Sequence, residues 1–246
     1  TREELRAAVD YMSSYSLYAA EEELRQGFIT VQGGHRIGVA GRTVADRQGV
    51  RLMKFISFVN VRVAHQVKGC ADGIMRYLYA RQPGQPGPHF CNTLIISPPR
   101  CGKTTLLRDL VRLMSRGEQV PPQRIALIDE RDEIAVMYRG QPQMDVGPRT
   151  DILNGCPKAA AIPMVLRAMN PQVIALDELT VQEDLQAIAQ AAGCGVGLLA
   201  TIHAGSVEEL QAKPLYRALL EGRVFRLAVL IRRGSAGWAY AVENLP

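Results

Sequence analysis

The sequence predicts an α/β protein, a mostly parallel sheet covered by helices, with a small α+β domain ahead of it. Three observations carry this. Short apolar runs, Leu94 to Ile96, Val173 to Leu176 and Gly197 to Ile202, alternate with stretches of helical periodicity, as strands buried on both faces do. One of these runs feeds a tight loop and then a helix through Gly102-Lys103-Thr104. The stretch before it reads in a different order: helix, hairpin, strand, helix.

Taken in order, residues 1–29 have helical character. Thr1 and Glu4 have capping-box spacing, and Leu5, Val9, Met12 and Leu17 offer an apolar face. Phe28 to Val31 and Arg36 to Val44 flank Gly33-Gly34, a hairpin signal. A β-rich run spans Val50 to Val63, and residues 71–80 are helical in pattern. Residues 81–89, with three prolines and two glycines, continue neither helix nor central strand. The domain boundary is placed there, giving domains 1–85 and 86–246.

Beyond it, the helix from Lys103 stops at Gly117, and a buried strand, Arg124 to Ile128, runs into Asp129-Glu130. A polar loop follows through Gly140 and Gly147-Pro148-Arg149-Thr150. Pro157 suits the first position of a helix ending near Met169. Val173 to Leu176 runs into Asp177-Glu178, and Thr180 with Glu183 forms a second capping-box pattern for a helix ending at Gly193. Gly197 to Ile202 ends at His203, and Val224 to Arg232 pairs with Trp238 to Val242 around Gly234-Ser235.

Composition narrows the class without naming it. The 246 residues are 47% hydrophobic and 22% charged, enough for one large core or two modest ones. The net charge of +5 suits acidic partners, whether nucleotide, nucleic acid or an anionic membrane, and equally a simple solubility charge. Five scattered cysteines imply neither a disulfide framework nor a zinc site and fit a reducing compartment. No signal-peptide pattern is read at the start, and Thr1 in place of Met fits a trimmed or partial chain. Leu185 to Val207 lacks Asp, Glu, Lys and Arg, but its Gln186, Gln190, Thr201 and His203 fit a helix followed by a buried strand better than a membrane span.

The chemistry centres on residues 92–105. Strand, loop, Gly-Lys-Thr and helix in that order form a phosphate-binding P-loop. Loop and helix N–H groups point at the phosphates, and the helix dipole favours their charge. Pro98, Pro99, Arg100, Cys101, Gly102, Lys103, Thr104 and Thr105 would cradle ATP, with Lys103 on the β- and γ-phosphates and Thr104 on Mg²⁺. Ser97 stands where the pattern has its first glycine, and Pro98 and Pro99 restrict the turn. Ligands bind at the carboxyl ends of parallel strands, where Asp129-Glu130, Asp177-Glu178 and His203 all fall. Asp177 is assigned to Mg²⁺ and Glu178 to the attacking water. Glu130 either supports the metal or water or pairs with Arg131, and His203 is a candidate γ-phosphate sensor. Arg149 and Arg62 are candidate arginine fingers reaching a neighbour's phosphate, against the default of a solvated loop arginine.

The runs Ser-Pro-Pro-Arg-Cys-Gly-Lys-Thr-Thr (97–105), Ile-Asp-Glu-Arg-Asp-Glu-Ile (128–134), Gly-Pro-Arg-Thr-Asp-Ile-Leu-Asn-Gly-Cys-Pro-Lys-Ala (147–159), Ala-Leu-Asp-Glu-Leu (175–179) and Ala-Thr-Ile-His-Ala (200–204), with Gly34 to Arg42, resemble the stage III sporulation protein AA family. That family lies in the broad class of type II/type IV secretion ATPases. The resemblance implies a RecA-like P-loop ATPase core, a small N-terminal domain and a homo-oligomeric ring, a hexamer. It also implies a cytoplasmic motor peripheral to the mother-cell membrane facing the forespore, docked to membrane channel proteins of the sporulation complex. Asp129-Glu130 and His203 match acidic and histidine positions of such ATPases. Ser97 and Arg100 depart from its glycines, so a ring component with a weakly active site is an alternative reading. A nucleic-acid-dependent RecA-like motor is another, but no aromatic and basic interleaving of the single-strand-binding kind is present, and no nucleic acid is expected.

Overall fold

The structure, a computed structural model, describes residues 1–12, 24–25, 27–46, 49–81, 84, 87–234 and 237–245. The expected turn at Gly234-Ser235 and the middle of the expected first helix lie partly outside these residues. By internal contacts the chain forms two units: Thr1–Gln66 with Val136–Met144, and Val67–Ala135 with Asp145–Pro246.

In the first unit, helix α1 (Arg2–Met12) starts on the expected capping box: the Glu4 amide donates to Thr1 Oγ1 at 3.3 Å. Strands β1 (Phe28–Val31), β2 (His35–Asp46) and β3 (Gly49–Arg62) form an antiparallel sheet in that order. Its core is Val9, Leu24, Ile29 and Val39, with Met53, Ile56 and Val59 packed on it. Residues 136–144 return to this unit through the short hairpin of β8 (Met137–Tyr138) and β9 (Gln141–Pro142). Gln143 Oε1 accepts the Gly33 amide at 2.7 Å there. The sequence reads 136–144 only as loop, because its partners are more than a hundred residues upstream.

The second unit holds a seven-stranded sheet. Residues 71–80, expected as helix, form a turn, a 3₁₀ segment (Met75–Leu78) and β4 (Tyr79–Arg81). Met75 and Leu78 are buried, so the apolar spacing of the segment is real but is satisfied by a single tight turn. β4 pairs with β5 (Pro88–Phe90), so the stretch 81–89 is the connection of a hairpin in the second unit, and the contacts divide the chain at Gln66 instead.

The main strands are β6 (Thr93–Ser97), β7 (Ile125–Asp129), β10 (Thr150–Asn154), β11 (Val173–Leu176), β12 (Gly197–His203), β13 (Leu227–Gly234) and β14 (Gly237–Asn244). They lie in the order β10-β7-β11-β12-β6-β13-β14, parallel except for β14. Helix α2 (Lys103–Arg116) follows β6, α3 (Lys158–Ala168) follows β10 and α4 (Gln182–Gly193) follows β11. The short α5 (Val207–Ala212) and α6 (Pro214–Glu221) precede β13. Every residue of β6, β7 and β11 is buried, which explains their uninterrupted apolar runs. Alternate residues such as Ile96, Ile128, Leu176 and Ile202 pack against Ile162, Val165 and Ile188 of α3 and α4. α2 packs on β6 and β12 and buries Leu106, Leu107, Leu110 and Leu113. The uncharged stretch from Leu185 divides into α4 and β12 as expected, and among the described residues no helix is long and apolar enough to cross a membrane.

β10 is missing from the sequence reading because its residues are half-buried or exposed and make no apolar run. It is tied to the end of α2 by a close approach at Gly147 (φ 87°), where an added Cβ would lie 2.5 Å from the Ser115 Cβ. Gly147→Ala combines a left-handed alanine, about 1–2 kcal/mol, with overpacking of about 1–3 kcal/mol. A fall in Tm of more than about 5 °C is expected in a thermal melt; a midpoint within about a degree of the parent would show that the loop relaxes freely.

Candidate nucleotide-binding site

The site is built on the register of two strands. β12 pairs with β6 so that His203 lies opposite Ser97, each the last residue of its strand. The chain then turns through Pro98–Cys101 into α2, and the positive φ angles of that turn fall on Arg100 (60°) and Gly102 (84°). Ser97 needs no left-handed backbone, which is why a serine fits where the motif has its first glycine. Arg100 bears the strain instead.

Lys103, the first residue of α2, is buried at 6% exposure. Its ammonium donates to Ser97 O (3.0 Å), Ser97 Oγ (3.3 Å) and Pro98 O (2.9 Å), and lies 2.5 Å from His203 Nδ1. Burial pulls its pKa down, while Glu178, Cys101 and Asp177 push it back up. Because a lysine ammonium can only donate, Nδ1 must accept, leaving the His203 proton on Nε2. That nitrogen faces Glu178 Oε2 at 2.9 Å. Lys103, His203 and Glu178 thus form one hydrogen-bonded line across the ends of two strands.

The two Asp-Glu pairs differ sharply. Asp129 is fully buried and accepts the amides of Glu133 (2.8 Å), Ile134 (2.9 Å) and Ala135 (2.8 Å). Burial raises its pKa, the three amides pull it back, and Asp177 raises it further. Arg108 of α2 clasps the same loop, donating to Ile134 O at 2.6 Å and Glu133 O at 2.7 Å. Glu130 is engaged by Lys158, a nearly buried lysine that also lies 3.9 Å from Asp184. Glu130 is therefore ion-paired, with Lys158 in place of the expected Arg131. Asp177, by contrast, is 6% exposed yet has no hydrogen bond or ion pair among the described residues. A nearly buried carboxylate without a donor, close enough to Lys103 to push that lysine's pKa up, leaves its oxygens open to a hard cation. Arg131 Nη1 approaches Glu178 Oε2 at 3.8 Å.

Other expected residues lie elsewhere. Arg149 precedes β10 at the opposite end of the sheet, and its guanidinium donates to Ser115 O at 3.0 Å. Ser115 is twelve residues beyond Lys103, roughly 18 Å along α2. Arg62 is exposed at the end of β3 in the first unit. Cys101 Sγ lies 3.5 Å from Pro99 O, and Thr105 O lies 3.9 Å from Cys70 Sγ. The capping box of Thr180 and Glu183 does not form: Val181 is the N-cap, and the Asp184 carboxylate is hydrogen-bonded to the backbone at Thr180 and Val181. Lys158 was not anticipated, and Arg131, expected beside Glu130, lies nearer Glu178. Lys158 left a signal, since a lysine in the first turn opposes the helix dipole and needs a local reason.

The model of the family described as sporulation stage III, protein AA matches residues 1–243. The chain belongs to this family. It is 41% identical over 226 residues to the stage III sporulation protein AA of Bacillus subtilis, covering 92% of this chain and 71% of that protein. Among solved structures it resembles the ATPase DotB of Yersinia pseudotuberculosis, with a TM-score of 0.58, 15% identity and coverage of 97% of this chain and 67% of that one. DotB of Legionella pneumophila gives a TM-score of 0.51 at 14% identity, covering 85% of this chain, which spans 57% of that one. The pilus retraction motor PilT with bound ADP also gives 0.51, at 15% identity, over 86% of this chain and 59% of that one. These likenesses are of fold: the second unit has the RecA-like core of secretion and pilus ATPases, preceded by a small α+β unit.

Asp129 reads as a loop-forming carboxylate, which is testable. Asp129→Ala strips acceptors from three amides, at about 1–3 kcal/mol for each one left buried. A loss of at least about 3 kcal/mol in urea unfolding is expected, with a smaller loss for Asp129→Asn, which keeps one oxygen. Parental stability in the alanine variant would contradict this role.

Proposed function

We propose that this chain is an ATP-hydrolysing motor of a secretion-like channel complex used in endospore formation, working as a ring. The observation that carries the reading is the convergence of Lys103, Asp177, Glu178 and His203 on one sheet edge beside the loop of residues 98–102. Family membership supplies the sporulation setting. The fold shared with secretion and pilus ATPases supports the motor class.

In this reading ATP takes the place of the groups that now saturate Lys103. The ammonium exchanges Ser97 O, Pro98 O and His203 Nδ1 for β- and γ-phosphate oxygens, and loop amides at the α2 N-terminus complete the cradle. Thr104 and Asp177 would hold Mg²⁺, which neutralises charge developing on the phosphates. Glu178 orients the attacking water, and the His203 Nε2 proton fixes the carboxylate that does so. Release of Lys103 also frees His203 Nδ1, so phosphate binding is felt at Glu178 through one imidazole.

Two substitutions separate these roles. Lys103→Ala removes the cation and is expected to lower hydrolysis by on the order of 10²-fold or more. Glu178→Gln keeps shape without basicity, so nucleotide should still bind while turnover is lost. Radiolabelled ATP binding and phosphate release on the purified protein measure both; ordinary turnover in Lys103→Ala would remove the site assignment.

The ring is the second half of the proposal. Arg149 is committed to the α2 C-terminus, so Arg62 is the better candidate for a finger that reaches a neighbouring site. Activity per chain should then rise steeply with protein concentration through assembly, and added Arg62→Ala chains should depress activity beyond simple dilution. Constant specific activity in a protein shown by light scattering to be monomeric would refute the ring.

A further inference from the structure

The edge of the sheet opposite the nucleotide site carries a second feature. Two cavities of about 590 Å³ and 930 Å³ open there and share Asn92 and Ala192 in their walls, forming one trough. Its place follows from the topology. Asn92 precedes β6, Arg124 precedes β7, Gln172 precedes β11 and Arg226 precedes β13, so the trough runs along the starts of parallel strands whose far ends hold the P-loop.

The charge of this trough is of one sign. Arg124 and Arg167 line one part, Arg223 and Arg226 the other, and among the described residues no aspartate or glutamate lines either. All four arginines are exposed, and among the described residues none has a carboxylate within ion-pair distance. Arg124 and Arg167 are steadied by backbone carbonyls, Asn170 O at 3.2 Å and Pro163 O at 3.1 Å, which leaves their charge uncompensated. Arg223 holds φ 48° just after α6, the left-handed position where glycine would be unstrained. An arginine kept there costs about 1 kcal/mol and is the kind of outlier that marks a binding surface. Helix C-termini favour cations and account for Arg167 and Arg223 in part, but Arg124 and Arg226 stand at strand starts, where no such dipole acts.

We propose that this trough is a docking site for an acidic, amphipathic helical segment of a partner protein. The part between α4 and α6 has an apolar floor of Leu185, Ala189, Ala192 and Leu219 with Arg223 and Arg226 on its rim. That combination matches a helix with a narrow apolar stripe flanked by carboxylates. Among the described residues, Phe90 is the one phenylalanine, tyrosine or tryptophan that lines the trough, and it is packed edge-on against Tyr79 at 5.6 Å rather than free as a stacking platform for single-stranded nucleic acid. A bilayer is flat, and none of the large apolar side chains exposed on this protein lines the concavity. The site is independent of nucleotide chemistry and stands whether or not the protein hydrolyses ATP.

The probe is a fluorescein-labelled synthetic helix of about 20 residues, roughly 30 Å long, built of Glu, Ala and Leu. Its binding is followed by fluorescence anisotropy at low ionic strength. Saturable binding is expected, weakened by salt. Arg223→Glu with Arg226→Glu, and Arg124→Glu with Arg167→Glu, should each weaken it by about tenfold or more, while Arg→Lys at the same positions keeps it within a few-fold. Unchanged unfolding midpoints check that these exposed substitutions leave the fold intact, and the lysine variants serve where a reversal does not fold. No saturable binding, binding indifferent to all four charges, or tighter arginine-dependent binding of oligo(dT) or phosphatidylglycerol vesicles would each overturn the proposal.

Discussion

The structure turns on one buried cation. Lys103 has lost water on almost every side, and an ammonium so placed must have its three protons accepted within the protein. Ser97 O, Pro98 O and His203 Nδ1 accept them, and each is where it is because of the pairing of β6 with β12. A slip of that register by one residue would turn His203 to the other face of the sheet. The apolar ladder of Leu94, Ile96, Ala200 and Ile202, buried against α3 and α4, prevents the slip. Core packing thus sets the geometry of the candidate site. The lysine is held on weak neutral acceptors that phosphate oxygens can outcompete, since hydrogen bonds between charged groups are roughly twice as strong.

The two Asp-Glu pairs show how one dipeptide acquires two uses. Both follow a four- or five-residue buried strand, and both strands are parallel neighbours. After β7, the backbone folds over Asp129 and spends the carboxylate on three amides, while Lys158 takes Glu130. After β11 the chain leaves directly toward α4 and, among the described residues, no amide returns to Asp177, while Glu178 meets His203 Nε2 at 2.9 Å. Two carboxylates close together in a buried place disfavour each other's charge, and the Asp177 charge does raise the Asp129 pKa. The three amides that close on Asp129 favour its charged form and so offset part of that conflict, while no amide of the described residues is spent on Asp177.

The sheet and the P-loop were legible because burial on both faces writes itself as unbroken apolar runs and because the Gly-Lys-Thr step is local. His203 and Glu178 were legible by position, since parallel strands deliver their ends to one edge. What escaped was non-local. The return of residues 136–144 to the first unit depends on Gly33 and Gly34, about a hundred residues away. The half-buried strand β10 has no periodic signature. Arg149 lies in a segment whose sequence resembles a functional one, but the Gly147 approach to Ser115 commits it to the far end of α2. The 3₁₀ segment at Met75–Leu78 shows that helical spacing over one turn does not decide helix length.

A parallel α/β unit has two unlike edges, and this chain uses the difference. Its helices after β6, β10 and β11 all start at the edge where those strands end. Their positive ends therefore gather at the P-loop and favour phosphate and carboxylate there. Their negative ends gather at the other edge and favour cations. Asp129, Glu130, Asp177 and Glu178 occupy the first edge, and Arg124, Arg167, Arg223 and Arg226 the second. The acidic group is compensated by Lys103, Lys158 and backbone amides. Among the described residues the arginine group has no carboxylate within ion-pair distance. Opposite partial charges on the two edges account for the carboxylates and, in part, for Arg167 and Arg223 at helix ends, but not for Arg124 and Arg226 at strand starts. They do not explain four uncompensated guanidiniums around a concave apolar floor, because a helix end is satisfied by one cation at its last turn. The surplus charge lies at the far end of the sheet from nucleotide, where a partner can be held without blocking the site that ATP would occupy.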